Sequence, residues 1–466
     1  LTLSATGTIT PKDLSGAFEK ITKVYDGTKN VNSADVHFKT GALLAGDNVA
    51  LGAHTEQFQS ENVAGDGTTW PSPGGTVEKN WINYSGLSLT GTDAGNYNLP
   101  SAMRGLGEIK PFEVNPATHF DFGTITQVTK IYDGTRKVKR NESDDVQDTK
   151  GYIQKADVTV GSTTLNLLGN LSVTSATYDT TPNVNNGTPQ GVTYKLTYNG
   201  TNPNIQFAPN TTVTATGNGV ITKKDVTATV KSPVSKVYDA TTTLTGVAKD
   251  SANAVVTNAN DLIGMTGFTG NDGATYTTTA VYADKNVGTG NKRVNYTLTL
   301  NGTAAGNYNL KYGGANSSGT FSTNDNTITK RKVDVTFADV TKTYDTTPTN
   351  TSITGTVSAA DKTVLNTDSA GLVNGSNALT NLSTLNSQYG TGTGASFTAN
   401  PNAGTNKDVR YQGLGAQMGT TLGANAANYE FATDGYGKGT ITRATINSSD
   451  VTFGTTNATK VYDGTQ

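Results

Sequence analysis

Lys23-Val24-Tyr25-Asp26-Gly27-Thr28 is a short phrase that returns along the chain, and its return decides how the other residues are interpreted. The later copies are Lys130-Ile131-Tyr132-Asp133-Gly134-Thr135, Lys236-Val237-Tyr238-Asp239-Ala240-Thr241, Lys342-Thr343-Tyr344-Asp345-Thr346-Thr347 and Lys460-Val461-Tyr462-Asp463-Gly464-Thr465. Successive tyrosines are 107, 106, 106 and 118 residues apart. That period is the size of a small domain and exceeds the roughly 20–50 residues of a solenoid repeat. The chain is therefore predicted to be a tandem array of similar domains.

A second landmark, an isoleucine among alternating polar residues, closes each repeat. The isoleucines lie 100, 112, 107 and 113 residues apart and are Ile9, Ile109, Ile221, Ile328 and Ile441. We therefore predict the tail of a preceding repeat at residues 1–10, repeat 1 at 11–110, repeat 2 at 111–222, repeat 3 at 223–329, repeat 4 at 330–442 and the start of a further repeat at 443–466. On this division the sequence is expected to be a piece of a longer protein.

A third landmark precedes each closing isoleucine and centres on Tyr97, Tyr308 and Tyr429. Repeat 2 has Ile205 at the matching place. Isoleucine keeps an apolar side chain but lacks the phenol, so chemistry by the hydroxyl would not survive this exchange. We predict that these four positions serve packing.

Composition and local pattern favour an all-β fold. The chain has 53 glycines, 13 prolines and no cysteine. Short alternating runs such as residues 192–198 and 294–300 are bounded by Gly, Asn and Asp, which is typical of strands and turns. No run of ten residues with a helical period was identified. We predict about four compact β-sandwich-like modules of roughly 100–113 residues, with a β-grasp relative as the alternative, arranged as an elongated rod.

The charge balance argues against two classes of partner. The 35 basic and 37 acidic residues nearly cancel, whereas a nucleic-acid-binding protein normally has a basic excess. No apolar stretch reaches the 18 or so residues that span a bilayer. We predict that this segment binds no nucleic acid and does not insert into a membrane.

The recurring phrase has a structural interpretation. A strand would lead into a turn, with the tyrosine ring on the core and the aspartate capping backbone N–H groups. Because the glycine becomes Ala240 and Thr346, we predict no need for positive φ there, and we expect the lysine to be a solvated edge charge. The alternative is a Lys–Asn isopeptide cross-link, for which Lys23, Asn96 and Asp26 are the candidates in repeat 1.

Catalysis has no recurring basis in the sequence. The three histidines all lie in the first two repeats, so a histidine-dependent catalytic or metal site cannot be common to the array. We predict no enzyme activity, no cofactor and no metal. Trp70 and Trp81 occur in repeat 1 alone and have two interpretations, a glycan contact and the packing of a large loop.

Taken together, these phrases resemble the YDG-type repeats of very large bacterial surface exoproteins, the filamentous haemagglutinin-like adhesins exported by two-partner secretion. The resemblance rests on Lys-Val-Tyr-Asp-Gly-Thr, on residues 284–290 followed by 302–308, and on residues 221–226. It covers the whole chain, although Ile205 and the longer fourth repeat depart from the pattern.

The resemblance implies a secreted, cell-surface protein and a non-catalytic role. The expected function is a stalk or fibre segment that extends an adhesive region or builds biofilm matrix and cell–cell contacts. The alternative is a multivalent carbohydrate-binding array for exopolysaccharide or for host and bacterial surface glycans. Lateral self-association into fibres through exposed sheet edges is a further expectation.

Overall fold

The computed structural model describes residues 4–72, 75, 77–454 and 461. This part of the chain is mainly β-structure in β-sandwich-like units, which confirms the predicted fold class. The chain divides into two compact units, residues 1–224 and 225–466, and each contains two of the predicted repeats. Lys460, Tyr462 and Asp463 of the last copy of the phrase lie outside the described residues.

The first unit consists of short strands joined by turns. In repeat 1 the strands are Lys12–Asp13, Ile21–Val24, Ala50–Leu51, Thr55–Phe58, Trp70–Pro71, Val77–Glu78, Trp81–Ser85, Leu89–Thr90, Tyr97–Asn98 and Ala102–Lys110. In repeat 2 they are Phe112–Glu113, Phe120–Asp121, Val128–Ile131, Asp157–Val160, Thr163–Asn166, Leu171–Tyr178, Gln190–Tyr198, Ile205–Gln206 and Val213–Thr222. The 3₁₀ helices of the first unit are Ser33–Asp35 and Ala94–Asn96 in repeat 1, and Val146–Tyr152 and Leu168–Asn170 in repeat 2.

The second unit has the same kind of strands. In repeat 3 they are Lys224–Val230, Ser235–Val237, Ile263–Thr266, Thr275–Tyr282, Gly288–Asn301, Tyr308–Tyr312, Ala315–Asn316 and Thr320–Thr329. In repeat 4 they are Arg331–Lys332, Thr336–Phe337, Val340–Thr343, Thr349–Asn350, Gly355–Thr356, Asn386–Thr391, Thr398–Ala399, Gly404–Gln412, Tyr429–Glu430 and Gly435–Thr442. The 3₁₀ helices of the second unit are Ala259–Leu262 and Ala305–Asn307 in repeat 3, Leu382–Thr384, Gly394–Ser396 and Gly423–Asn428 in repeat 4, and Ser448–Asp450 after it.

The main sheet of each repeat joins its first and second landmarks. The strand that carries the recurring lysine, here called the motif strand, pairs in parallel with the strand that carries the closing isoleucine, here called the closing strand. The register is the same in all four repeats, with cross-strand pairs Lys23–Ile109, Lys130–Ile221, Lys236–Ile328 and Lys342–Ile441. Each repeat is thus closed by a contact between residues near its two ends.

The remaining strands of the main sheet are antiparallel. In repeat 2 the closing strand Val213–Thr222 pairs with Gln190–Tyr198, which pairs with Leu171–Tyr178, and we call these the middle strand and the hairpin strand. The same order of motif, closing, middle and hairpin strands occurs in the other repeats, and repeat 4 adds Thr349–Asn350 and Thr398–Ala399. Antiparallel strands with one face on the core and one face in solvent explain the alternating sequence pattern.

The segment that follows the motif strand crosses to the other edge of the same sheet. In repeat 2, Lys137 forms a β-bridge with Thr177 of the hairpin strand, and the N–H of Val138 donates to the carbonyl of Ala176 at 2.9 Å. Repeat 1 has the matching bridge between Asn30 and Gln57. The turn between these two pairings therefore links the two edges of a curled sheet.

Aromatic side chains fill the core, and glycines on the closing strand make room for them. Tyr178 and Tyr194 of repeat 2 are fully buried. Gly219 lies against Tyr178, where a Cβ would be 2.5 Å from the ring and 2.8 Å from Val192. Gly439 faces Tyr389 at the corresponding position, where a Cβ would be 2.6 Å from the ring. Close packing at these two positions thus excludes any side chain.

Repeat 4 differs from the sequence prediction, because the described residues include two α-helices there, Ala359–Asp368 and Leu414–Leu422. The expectation that no segment is helical was therefore wrong in this repeat. Ser358 caps the first helix, and its hydroxyl accepts from the N–H of Asp361 at 3.0 Å. The second helix buries three residues spaced four apart, namely Leu414, Met418 and Leu422. Glycines between them weaken the propensity signal.

Gly219→Ala tests the fit between the closing strand and the aromatic core. We expect the substitution to destabilise repeat 2 by about 1–3 kcal/mol, because an added methyl group overpacks the core. Gly169→Ala is the matched control in the same repeat, since a Cβ there meets nothing within 4 Å. Amide hydrogen exchange of repeat 2 peptides measures both effects. Equal protection in the two variants would contradict the proposed fit.

Candidate functional site: the lysine turn and the junction between repeats

The recurring phrase forms a closed turn around its lysine, which we call the lysine turn. In repeat 2, the Lys130 Nζ donates to Asp133 Oδ1 at 2.7 Å, to the Thr135 carbonyl at 2.7 Å and to the Lys137 carbonyl at 2.9 Å. The Thr135 hydroxyl lies 3.3 Å from the same nitrogen. The lysine thus holds together the three residues that shape the turn.

The same contacts occur in the other described copies of the turn. Each ammonium contacts the aspartate three residues later, the threonine five residues later and the carbonyl seven residues later. The nitrogen–carboxylate distances are 2.8, 2.7 and 2.7 Å for Lys23–Asp26, Lys236–Asp239 and Lys342–Asp345. The carbonyls seven residues on belong to Asn30, Thr243 and Thr349. The lysine turn is therefore one structure used four times.

The aspartate caps the turn, as the sequence predicts. Asp133 Oδ1 accepts from the Thr135 N–H and from the Thr135 hydroxyl, both at 2.9 Å. Burial disfavours the charged form of Asp133, but the hydrogen bonds from Lys130 and Thr135 outweigh burial and lower the pKa of its carboxyl. In repeat 4 the same hydrogen bonds lower the pKa of Asp345 to about 2. The carboxylate is thus held in its charged form.

The lysine is enclosed, and the expectation of a solvated edge charge was wrong. The side chains of Lys130 and Lys236 are 2% and 0% exposed. Each ammonium also lies over an aromatic ring of the hairpin strand, 5.4 Å from the centroids of Tyr178 and Tyr282. A buried ammonium with this many acceptors and a ring face is stabilised by charge-assisted hydrogen bonds and a cation–π contact. Burial still lowers the pKa of Lys130.

The residue after the aspartate has positive φ in every described copy, so the prediction from Ala240 and Thr346 was also wrong. Gly27 and Gly134 have φ of +74° and +76°, and Ala240 and Thr346 have φ of +63° and +74°. A β-branched residue is strained in this region. The hydrogen bonds of the lysine therefore impose the turn even where the residue does not favour it.

The tyrosine of the phrase packs on the core in three of the four described copies. Tyr25, Tyr132 and Tyr238 are 4%, 3% and 0% exposed, whereas Tyr344 is 37% exposed. The predicted packing role thus holds for the first three repeats. Tyr25 and Tyr238 also reach side chains of the repeat that follows them in the same unit. These contacts define a junction within each unit.

In the first unit, Asn204 of repeat 2 holds a loop of repeat 1. Its Oδ1 accepts from the N–H of Val63 at 2.9 Å, and its Nδ2 donates to Asn62 Oδ1 at 2.7 Å. The same side chain also interacts with the hydroxyl of Tyr25, whose pKa is raised mainly by burial. One buried asparagine therefore joins the lysine-turn strand and a loop of the preceding repeat.

Apolar packing continues through the same junction. Gly161 of repeat 2 lies against the carbonyl oxygen of Asp26, where a Cβ would be only 2.4 Å away. Side chains from both repeats form one buried cluster, which includes Tyr25, Ile109, Val114, Val158, Val160 and Ile205. Repeats 1 and 2 therefore share part of a hydrophobic core.

The second unit repeats the asparagine contact. Asn428 Oδ1 accepts from the N–H of Val287 at 2.9 Å, and Asn428 Nδ2 donates to Asn286 Oδ1 at 3.2 Å. Asn428 is 2% exposed. Asn204 and Asn428 both immediately precede the third landmark, at Ile205 and at a tyrosine respectively. The same sequence position thus makes the same contact in both units.

A buried aspartate adds a charged centre to the junction of the second unit. Asp368 accepts from the hydroxyls of Tyr238 and Tyr429 at 2.7 and 2.9 Å, and from Lys285 Nζ at 2.6 Å. Its side chain is 0% exposed. Burial disfavours the carboxylate, but the hydrogen bonds from Lys285, Tyr238 and Tyr429 outweigh burial and lower the pKa of Asp368.

The third landmark is buried, as predicted, in the core of every repeat: the positions Tyr97, Ile205, Tyr308 and Tyr429 are 6%, 6%, 3% and 4% exposed. The tyrosine hydroxyls nevertheless have aspartate partners that the sequence analysis missed. Tyr97 donates to Asp47 at 2.7 Å, and Tyr308 donates to Asp272. These aspartates lie 50 and 36 residues before their tyrosines, so no fixed spacing reveals them.

The predicted cross-link residues Lys23 and Asn96 do not pair with each other, whereas the predicted glycan-contact residues Trp70 and Trp81 lie side by side. Lys23 Nζ is taken up by its turn, and Asn96 is exposed and is not among its partners. Trp81 is 6% exposed, its Nε1 donates to Asn83, and Arg104 covers its ring at 4.8 Å. Trp70 is half-buried, with its ring 6.3 Å from that of Trp81. The two tryptophans thus pack a loop.

The described residues include no group of three or more His, Cys, Asp or Glu side chains arranged to hold a metal ion. Within residues 4–72, 75, 77–454 and 461, no helix is both long and apolar enough to cross a membrane. The recurring charged groups are engaged with one another, so the lysine turn and the junction serve structure.

Lys236→Met tests the lysine turn. Methionine matches the length of the lysine stem but leaves Asp239 and two carbonyls without their donor, so repeat 3 should lose about 3 kcal/mol of unfolding free energy. Lys332→Met is the control, because Lys332 and its partner Asp334 are 69% and 81% exposed and a surface pair contributes under about 1 kcal/mol. Pulse proteolysis in urea measures both. A loss below about 1 kcal/mol for Lys236→Met would refute the structural role.

Thr346→Gly tests the strain in the turn of repeat 4. Glycine adopts positive φ without steric conflict, so we expect stabilisation of about 1 kcal/mol, equivalent to about 4–8 °C in the transition of that repeat. Thr354→Gly, at an exposed position outside the positive-φ set, should instead destabilise by about 0.5–1 kcal/mol. Differential scanning calorimetry distinguishes the two signs. Destabilisation by both substitutions would show that Thr346 is not strained.

Comparison with known proteins identifies part of this architecture. The YDG domain matches residues 10–104 and 222–317, which are the first and third repeats. No curated protein matches the chain. Among solved structures, immunoglobulin domains 1–5 of Sidekick-1 are similar over 92% of this chain and 80% of that chain, at 7% sequence identity and a TM-score of 0.19. The chain therefore contains two copies of the YDG domain.

Proposed function

We propose that this chain is a non-catalytic stalk or fibre segment of a secreted bacterial adhesin, located outside the cell or at its surface. In this role it extends an adhesive region or builds biofilm matrix and cell–cell contacts. The two YDG domains and the resemblance of the whole repeat array to surface exoproteins support the proposal. Two-partner secretion is the proposed route of export.

The observation that carries this proposal is the internal use of the recurring residues. In all four described lysine turns, the ammonium, the carboxylate and the threonine bind one another. A binding or catalytic site would need some of these groups to face a ligand. Residues that recur in every repeat and are engaged within the protein itself, by their own turn and by the adjacent core, are those expected of a scaffold.

The junctions supply a second argument. A stalk requires neighbouring repeats to contact each other directly, because a long flexible linker would not transmit position or force. Asn204 and Asn428 make such contacts in the first and second units. Repeat 1 also runs directly into repeat 2, since the strand ending at Lys110 is followed after one residue by Phe112–Glu113.

Co-sedimentation with the exopolysaccharide of the producing organism tests the proposal. A stalk segment should show no saturable binding at low or at high ionic strength, while its circular dichroism confirms that it is folded. Saturable binding by the folded chain would overturn the spacer role and favour the carbohydrate-binding alternative. In that case Trp70→Ala, at the half-buried tryptophan, identifies whether the site lies in repeat 1.

Protease treatment of intact producing cells tests the proposed location. Cleavage of the chain on intact cells, with a cytoplasmic protein left uncut as the control, is the expected result. Protection of the chain until the cells are lysed would contradict a surface location. This experiment does not depend on any ligand of the repeats.

A further inference from the structure

We propose that the parallel pair of motif strand and closing strand is a mechanical clamp that resists tension applied along the chain. The inference rests on the proposed stalk function, since a stalk that joins a cell to a surface carries load. It assigns a force-bearing role to a particular pair of strands in each repeat.

The direction of the pair determines how it is loaded. The motif strand lies near the start of a repeat, and the closing strand lies at its end. Tension pulls the motif strand from its N-terminal side and the closing strand from its C-terminal side. Because the strands are parallel, these two forces act in opposite directions along the strand axis. The pair is therefore sheared, and its hydrogen bonds must break together instead of one after another.

The contacts across the pair extend over the whole motif strand. In repeat 2, residues Val128–Ile131 pair with residues 219–222 without a register shift. The N–H of Tyr132 extends the ladder to the Thr222 carbonyl at 2.9 Å, and the Thr222 hydroxyl donates to the Lys130 carbonyl at 3.2 Å. Each repeat has a corresponding ladder in the same register.

The lysine turn blocks sliding of the motif strand. The chain beyond the turn is held by the hairpin strand, through the Lys137–Thr177 bridge and the hydrogen bond from Tyr178 N–H to the Arg136 carbonyl at 2.8 Å. Movement of the motif strand toward its N-terminus would drag the turn away from this edge. It would also remove the Lys130 ammonium from the Tyr178 ring. The turn therefore acts as a stop at the end of the sheared pair.

Two directions of pulling on repeat 2 test this clamp. The chain has no cysteine, so paired cysteine substitutions give unique attachment points for DNA handles in an optical trap. Gln127→Cys with Lys223→Cys loads the motif and closing strands in shear. Asn170→Cys with Asn199→Cys opens the antiparallel hairpin and middle strands from adjacent ends, since the N–H of Asn199 donates to the Asn170 carbonyl at 2.8 Å. All four side chains are exposed.

The shear pair should rupture at a force at least about two-fold higher than the hairpin pair at the same loading rate. The released length identifies each event, since about 3.3–3.6 Å per residue gives roughly 320 Å for the first pair and 100 Å for the second. Forced unfolding reports the unfolding rate, so equal equilibrium stability of the two variants is the control. Equal or lower force for the shear pair would overturn the clamp.

Failure of the clamp is distinguishable from failure of the proposed function. Saturable glycan binding would replace the spacer role without changing either rupture force. Lys130→Met in the shear variant gives an independent measurement of the stop. A drop in rupture force in shear, with an unchanged force in the hairpin variant, supports the role of the lysine turn. An unchanged rupture force in both the shear and the hairpin variant would show that the lysine turn does not contribute to the clamp.

Discussion

A buried ammonium inside a turn is the constraint on which each repeat depends. A charged group of this kind is stable away from water only when acceptors surround it. Asp133 and the carbonyls of Thr135 and Lys137 provide those acceptors around Lys130, and they can do so only if the chain doubles back after the motif strand. That path carries the chain from one edge of the sheet to the other. The curl of the sheet and the hydrogen bonds that satisfy the buried lysine therefore both depend on the same path of the chain.

At the junctions between repeats, buried polar groups must likewise be hydrogen-bonded. An asparagine side chain that is buried between repeats must satisfy both its amide and its carbonyl group. Asn204 and Asn428 satisfy theirs on backbone and side-chain groups of the preceding repeat. Asp368 shows that one junction has acquired a charged centre, while the junction of the first unit relies on Asn204 and on apolar packing. The asparagine contact is thus the same in both junctions, although the residues around it differ.

Sequence reasoning succeeded where the signal is local and repeated. The alternation of the strands and the aspartate that caps the turn depend on residues only a few positions apart. The period of the phrase is visible because the same local pattern recurs along the chain. Local sequence patterns do not reveal features that depend on distant residues. Thr346 has positive φ because Lys342 and Asp345 impose the turn, and local propensity gives no hint of this. Likewise the Tyr429–Asp368 contact spans 61 residues and follows no fixed spacing. The second helix of repeat 4 left a weak signal in the spacing of Leu414, Met418 and Leu422.

The register of the main sheet also fixes the order in which a repeat can be completed during synthesis. Lys23 pairs with a residue 86 positions later, and Lys342 pairs with one 99 positions later. Contacts between such distant residues form slowly, because the chain entropy lost in closing the loop precedes any gain from pairing. The motif strand of a nascent repeat has no closing partner until nearly all of that repeat has been made. A chain that is threaded end-first through a narrow channel would therefore travel as incomplete repeats and finish each one only after its last strand emerges.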